Sequence, residues 1–410
     1  MRILLLTQWY PPEPSRLWAD LAKGLQIQGH DVRVITGFPN WPTGRLYPGY
    51  RLRLWQKEIL DGLPVTRVIL YPSHDTSALR RIFNIGSFAA AVSLFGFWLA
   101  RKPDVIYAIP PPTVGWAGWF LSRLWRVPLV YEVQDMWPES LRAAGLVRNE
   151  TALKCIGWFT RWIYERASAI RVISPGFRAN LIQKGVQPGK IHCVSNWVNT
   201  EFYRPVPPNP ERAAELGFTG RFNLLYAGVI GLSQGLDTVL GAAARLQDLP
   251  AVKFHLAGDG TELPRLKAMA QQRGLSNVQF LGSFPTEEMP GLYALAEVLL
   301  VHLRADPLLS ITIPHKIFTC MASGKPLLAA LEGDAAEVIT SANAGLTCKP
   351  GEAEQLAQTV RRMHALPPNE LVRMGANARD AACRLYQRDY LVNKIAQMVG
   401  TAVEQQNLVR

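Results

Sequence analysis

SITIPHKIFTCMASGKPLLAALEGDAAE, residues 310–337, reads as loop, short helix, strand, turn and helix. Pro314 suits the first turn of the short helix, where its missing N–H would be unpaired anyway. Ser310 or Thr312 can cap that end, and Gly324 fits the left-handed residue that stops it. The apolar run Leu327–Leu331 then has the length and composition of a buried strand. Helix, buried strand and helix together form the repeat of a parallel sheet covered on both faces. One residue stands apart. Lys316 lies in the first helical turn, where the dipole disfavours a cation. An anion bound at that end would reverse the sign of the problem, whereas a lysine turned to water would fit the same pattern.

Outward from this stretch the rhythm repeats. FNLLYAG (222–228), VKFHLAG (252–258), VQFLG (278–282) and EVLLVHL (297–303) are strand-like and separated by helical spacings. The first half has RILLLT at its start, then DVRVIT (31–36), VTRVIL (65–70), DVIYAI (104–109), PLVYEV (128–133) and AIRVIS (169–174). A helix is expected over Ser15–Gln28, ending at Gly29. Strands alternating with helices predict an α/β chain with doubly wound parallel sheets. RPVPPNPER (204–212) has a linker composition. The expected domains are therefore 1–204 and 205–385, with a C-terminal helix of about 386–410 that could return to the first. Ligands in such sheets bind at the carboxyl ends of the strands, so a cleft between two facing sheets is the expected site. The irregular GFPNWPTGRLYPGY (37–50) is long for a loop inside an α/β unit, as functional loops often are.

Composition is asymmetric. Residues 1–205 hold 25 of the 44 Lys and Arg, 13 of the 32 Asp and Glu, and all twelve tryptophans, whereas 206–410 hold 19 of each charge. The net charge of +12 thus resides in the first half. A basic, Trp-rich half points to an anionic, amphiphilic surface. The tryptophans cluster with Leu and Phe, so a membrane face fits and nucleic acid does not. Ile82–Ala100 is uncharged and flanked by Arg80-Arg81 and Arg101-Lys102; it approaches membrane-spanning length but lies between two sheet strands. A helix buried on one face, or dipping its outer face into the interface, fits better. Trp116–Arg126 is a second candidate for such contact. Five scattered cysteines without a CxxC pair suggest a reducing compartment. The opening RILLLT is too short for a secretory signal.

The sequence has no DxD, HExxH or P-loop. Gly231-Leu-Ser233-Gln-Gly235 spells the GxSxG of hydrolases, but Gly228 to Gly231 separate its serine from the strand. It reads better as a glycine loop whose N–H groups approach phosphate oxygens. Gly258 and Asp259 form a tight turn into a helix. Gln134, Asp135 and Glu139 follow strand PLVYEV, where Asp135 and Glu139 could act as acid, base or sugar ligand; Asp135 could equally cap the next helix. Glu337 sits where a helix starts, a position the dipole alone favours for a carboxylate.

In this order, RILLLTQWYPPE, QGHDVRVITGFPNWPTG, VYEVQDMWPES, VISPGFRANLIQKGV, SNWVNTEFYRP, AGVIGLSQGLD, LAGDGTELPRL, VQFLGSFP, IPHKIFTCMASGKPLLA and GDAAEVI resemble the retaining GT-B glycosyltransferases of family 4. Within that family the resemblance is to the branch that makes bacterial surface polysaccharides, including L-fucosamine-type and colanic-acid-type transferases. It implies two Rossmann-like domains facing across a cleft, the second holding a nucleotide sugar without metal. Gly228, Gly231, Gln234 and Gly235 would meet the diphosphate; Leu281 and Gly282 the base; Gly258 and Asp259 the nucleotide side; Lys316 the phosphates; Glu337 the same pocket. Asp135 would be the acid of the family's His-Asp pair.

Three departures stand out. Val229 and Gln234 occupy the places of the family's Arg and Lys, Ile311 and Thr319 those of its Glu-x7-Glu pair, and Gln134 that of its cleft histidine. Lys316 is then the best remaining phosphate cation, and the lost histidine suits a 6-deoxy donor. The expected activity is transfer of an N-acetylated or 6-deoxy hexose from a UDP-sugar to a polyprenyl-diphosphate-linked acceptor. It would occur at the inner face of the plasma membrane, with Asp135, Gln134 and Lys316 as the catalytic group and no cofactor beyond the donor. A UDP-sugar 2-epimerase and a non-catalytic scaffold are the alternatives.

Overall fold

The computed structural model describes residues 1–14, 16–73, 78–143 and 145–408. The chain forms two compact units, Met1–Ser195 with Leu391–Arg410, and Asn196–Tyr390.

The first unit is built on eight strands: β1 (Arg2–Leu6), β2 (Asp31–Gly37), β3 (Trp55–Leu60), β4 (Leu63–Val68), β5 (Val105–Ala108), β6 (Leu129–Val133), β7 (Ala169–Val172) and β8 (Ile191–Cys193). They lie in the order β3-β4-β2-β1-β5-β6-β7-β8. All pairs are parallel except β3 with β4. The second unit has β9 (Phe222–Ala227), β10 (Val252–Ala257), β11 (Val278–Gly282), β12 (Val298–His302), β13 (Leu327–Ala330) and β14 (Gly345–Cys348), ordered β11-β10-β9-β12-β13-β14 and parallel throughout. The inner strands β5, β6, β7, β12 and β13 are buried along their whole length. Each Leu or Val so placed contributes about 1.5–3 kcal/mol by leaving water.

In each sheet the strand order reverses once near the middle, at β1/β5 and at β9/β12. Such a reversal opens a crevice beyond the carboxyl ends of the two strands. Gly228 follows β9 directly, and His302 ends β12.

Two sequence expectations need correction. The sheet of the first unit is mixed rather than wholly parallel: β3 is an antiparallel edge strand whose residues alternate between exposed and half-buried. Its sequence, WQKEIL, lacks the apolar run of a buried strand, and the short edge strands β8 and β14 escape detection for the same reason. The start of the helix His315–Ala322 is also different. Pro314 is its N-cap rather than part of its first turn, and no side chain caps it. The hydroxyls of Ser310 and Thr312 bond back to the carbonyls of Pro307 and Leu308 instead, closing a short turn of helix over Pro307–Ser310. Gly324 does take the left-handed conformation, at φ 70°. The first helix spans Leu17–Ile27; Ser15, its expected start, lies outside the described residues.

Candidate functional site

In the second unit the expected site residues come together on the carboxyl ends of β9, β10, β11 and β12. Gly228 N–H donates to the Ala257 carbonyl at 3.0 Å, and Gly258 N–H to that of Gly282 at 2.7 Å. These bonds stack the three strand-end turns side by side. The fit requires glycine: a Cβ on Gly258 would lie 1.8 Å from the Gly228 carbonyl oxygen, and its φ is 138°. Gly258→Ala is therefore expected to separate the two turns. It should cost several kcal/mol of stability, read by urea unfolding; unchanged stability would show that the stacking does not matter.

The loop from Val229 to Gly235 has a clear polarity. Its carbonyls turn inward. That of Val229 accepts from Tyr226 Oη at 2.6 Å, that of Ile230 from Glu262 N–H at 3.0 Å, that of Ser233 from Arg304 N–H at 2.9 Å, and that of Gln234 from His302 Nδ1 at 2.6 Å. The N–H groups of Val229, Leu232 and Ser233 find no acceptor among the described residues. The helix Asp237–Ala244 starts directly behind them. Unpaired N–H groups at a helix N-terminus make a site for an anion.

Lys316 completes that site. Its ammonium donates to Tyr226 Oη at 2.8 Å and lies 4.2 Å from the centre of the Tyr226 ring. A Cβ on Gly228 would come within 2.9 Å of Lys316 Nζ. The side chain therefore reaches the glycine loop rather than open water. Burial lowers its pKa from 10.5 to about 8, so an approaching anion would restore the charge that burial disfavours. His302 is buried, and burial lowers it to about 4. It is neutral at pH 7, with its proton on Nδ1 because a carbonyl can only accept.

The other expected residues are placed less directly. Gln234 turns its side chain into its own loop, where Oε1 accepts from Gly231 N–H at 3.2 Å. Asp259 Oδ1 accepts from Gly260 N–H at 2.7 Å, which shapes the turn after β10. Leu281 and Gly282 end β11, half-buried. Glu337 is exposed in the first turn of the helix Asp334–Ser341, and no contact joins it to Lys316 or the glycine loop among the described residues. Thr319, at the place of a family acid, is buried and bonds its hydroxyl to the Lys316 carbonyl within the helix. Ile311 is half-buried after the short Pro307–Ser310 helix.

In the first unit Gln134 and Asp135 follow β6. Gln134 Nε2 donates to Glu132 Oε1 at 2.5 Å. Glu132 is fully buried and pairs with the equally buried Arg171 on β7 at 2.7 Å. It also accepts from the Tyr107 hydroxyl on β5. The Arg171 guanidinium further reaches the carbonyls of Val194 at 3.0 Å and Ser195 at 2.7 Å. Three adjacent strands thus hold a neutralised charge cluster behind Gln134. Asp135 has an exposed side chain, yet the protein mass around it raises its carboxyl above the usual range by desolvation. Glu139 pairs with Lys184 at 2.7 Å, a structural role rather than a free acid or base. The loop after β2 is pinned by Glu13, whose carboxylate accepts the N–H groups of Tyr10, Asn40 and Trp41, each at 2.9 Å.

Sequence reasoning missed Tyr226, His302, Glu132 and Arg171. The last two carried a signal. A charged residue inside a strand buried on both faces must have a partner, and PLVYEV and AIRVIS each contain one.

Comparison with known proteins places the chain in a family. Residues 14–197 match the Glycosyl transferase 4-like domain, and residues 209–381 match Glycosyl transferases group 1. The chain belongs to the family 4 glycosyltransferases of GT-B fold. This glycosyltransferase is 28% identical over 392 residues, 91% of its length and 94% of the relative's, to WcaI of Escherichia coli K12, named as a colanic acid biosynthesis glycosyl transferase. Its fold is that of sucrose-phosphate synthase from Thermosynechococcus elongatus, at 19% identity, TM-score 0.76 and 98% coverage of both chains. It is also that of Anabaena HepE in complex with UDP, at 20% identity and TM-score 0.73, covering 98% of this chain and all of the other. The glycosyltransferase thus carries its anion-shaped glycine loop in the group 1 portion and the Gln134–Asp135 pair in the 4-like portion.

Proposed function

We propose that this glycosyltransferase moves an N-acetylated or 6-deoxy hexose from a UDP-sugar to a polyprenyl-diphosphate-linked acceptor in surface polysaccharide synthesis. The configuration is retained and no metal is needed. The observation that carries this reading is the glycine loop with its carbonyls tied back and Lys316 Nζ beside Gly228. Three N–H groups, a helix N-terminus and one ammonium supply the charge that a departing diphosphate requires. Gly258, Asp259, Leu281 and Gly282 border the nucleotide, and Glu337 borders the same pocket as Lys316. The name of the Escherichia coli relative and the UDP in the HepE structure support the pathway and the nucleotide. Gln134 commits an amide N–H inward to Glu132, which fits a donor with no 6-hydroxyl to receive it. Asp135, with its raised carboxyl, is the acid of this reading.

The lipid-linked acceptor and a position at the inner face of the plasma membrane rest on the helix Ala78–Leu99. It is long and apolar enough to cross a membrane by length and composition, yet Phe88, Ala89, Ala91 and Val92 are buried in the first unit. Its outer face leaves Ile82, Phe83, Leu94, Phe97 and Trp98 exposed, and the helix Pro112–Trp125 beside it adds Leu124. Arg101 and Lys102 flank this face. A helix half in the core and half bare, with basic flanks, fits a protein lying on an anionic bilayer.

The test is a panel of UDP-sugars incubated with the enzyme and a membrane extract, scored for UDP release. At least one N-acetylated or 6-deoxy donor is expected to give acceptor-dependent release at least about tenfold above the other sugars. Turnover only with GDP- or ADP-sugars would overturn the nucleotide assignment. Equal use of a 6-hydroxylated donor and its 6-deoxy analogue would overturn the role given to Gln134.

A further inference from the structure

We infer that Tyr226 is a positioning residue of the donor site, holding the Lys316 ammonium and the glycine loop in one directed hydrogen-bond chain. This inference rests on the phosphate role proposed for Lys316. Tyr226 is the penultimate residue of β9, and its side chain is buried. A phenol has one proton to give and lone pairs to receive. The proton goes to the Val229 carbonyl at 2.6 Å, and a lone pair receives Lys316 Nζ at 2.8 Å. The directions of both bonds are therefore fixed: ammonium to phenol oxygen, phenol hydrogen to loop carbonyl. The ring face also lies 4.2 Å from the ammonium, adding a cation–ring attraction. One side chain thus sets where the cation sits and which way the first loop peptide turns, and both face Gly228.

The titratable groups facing Lys316 within the unit are Tyr226 from β9, His302 from β12 and Cys320 one turn along its own helix. Burial raises the Tyr226 phenol above its ordinary value, and neutral His302 and Cys320 supply no anion at pH 7. The phenol oxygen is accordingly the ammonium's main electrostatic support before an anion arrives. Removing it disfavours the charged form, so Lys316 loses its proton at lower pH.

Tyr226→Phe keeps the ring and removes only the hydroxyl. The experiment compares donor kcat/KM from pH 6 to 10, with UDP titrations at pH 7, for the wild type, Tyr226→Phe and Lys316→Ala. Tyr226→Phe is expected to raise the donor KM about tenfold while changing kcat less. It is also expected to move the alkaline fall of kcat/KM about one pH unit lower. A residue that only supports the fold would lower activity without moving that fall. An unmoved alkaline fall with an unchanged KM would overturn the inference for Tyr226 alone. A wild type with no fall near pH 8, together with a Lys316→Ala enzyme that binds UDP at wild-type strength, would overturn the phosphate reading beneath it.

Discussion

Lys316→Ala is expected to lower donor kcat/KM by about a hundredfold or more while the protein stays folded. Among the described residues the Lys316 ammonium reaches Gly228, and Val229 and Gln234 bring no positive charge to the loop. Its loss would remove the charge-assisted contact to the diphosphate proposed for it, stronger than a neutral hydrogen bond. The wild-type enzyme adds a pH signature. With the free-enzyme ammonium at about 8, donor kcat/KM falls as pH rises through that value, because only the protonated lysine attracts phosphate. In Lys316→Ala that limb is absent. Stability should move the other way. A lysine whose pKa is lowered by folding costs stability throughout the range below its folded value of about 8, and the cost is relieved as pH climbs from there toward 10.5. Lys316→Met, which keeps the bulk and removes the charge, should therefore melt no lower than the wild type at pH 7. UDP-sugar binding of wild-type strength in Lys316→Ala would end the phosphate assignment.

Arg171→Leu is expected to destabilise the first unit by about 3–5 kcal/mol, an effect to be read by urea unfolding. Glu132 and Arg171 are both fully buried and 2.7 Å apart. Without the guanidinium, a carboxylate stays in the sheet with only Tyr107 and Gln134 to support it, and the Val194 and Ser195 carbonyls lose their donor. The double variant Glu132→Leu/Arg171→Leu should be more stable than Arg171→Leu, since it leaves no unpaired charge. A loss below about 1 kcal/mol in the single variant would mean that water or a neighbour already satisfies Glu132. The cluster's link to Gln134 predicts that donor selectivity shifts along with stability.

The sequence exposed those parts of the molecule that are local. RILLLT, DVIYAI and EVLLVHL are continuous apolar runs, and each is an inner strand of its sheet. The glycine loop was legible because Gly228 and Gly235 adopt backbone conformations, φ 144° and 58°, that other residues rarely take. What remained hidden depends on contacts between distant segments. Tyr226 and His302 sit in runs that are otherwise apolar and read as core; only the fold brings their polar atoms to the Val229 and Gln234 carbonyls. Thr319 stands at the place of a family acid, yet its hydroxyl closes a helical turn. Strand β3 was invisible because an edge strand bare to solvent needs no apolar face.

The return of Leu391–Arg410 to the first unit means that this unit is not one continuous length of polypeptide. Val392, Ile395 and Val399 are buried there, and Val392 packs on the helix Leu17–Ile27 so closely that a Cβ on Gly24 would lie 3.0 Å from it. No single cut can therefore release either half intact. During synthesis the helix Leu17–Ile27 emerges long before the segment that packs on it, and must wait through the whole of the second unit with that apolar surface uncovered. The first helix thus meets its partner only after the whole of the second unit has been made.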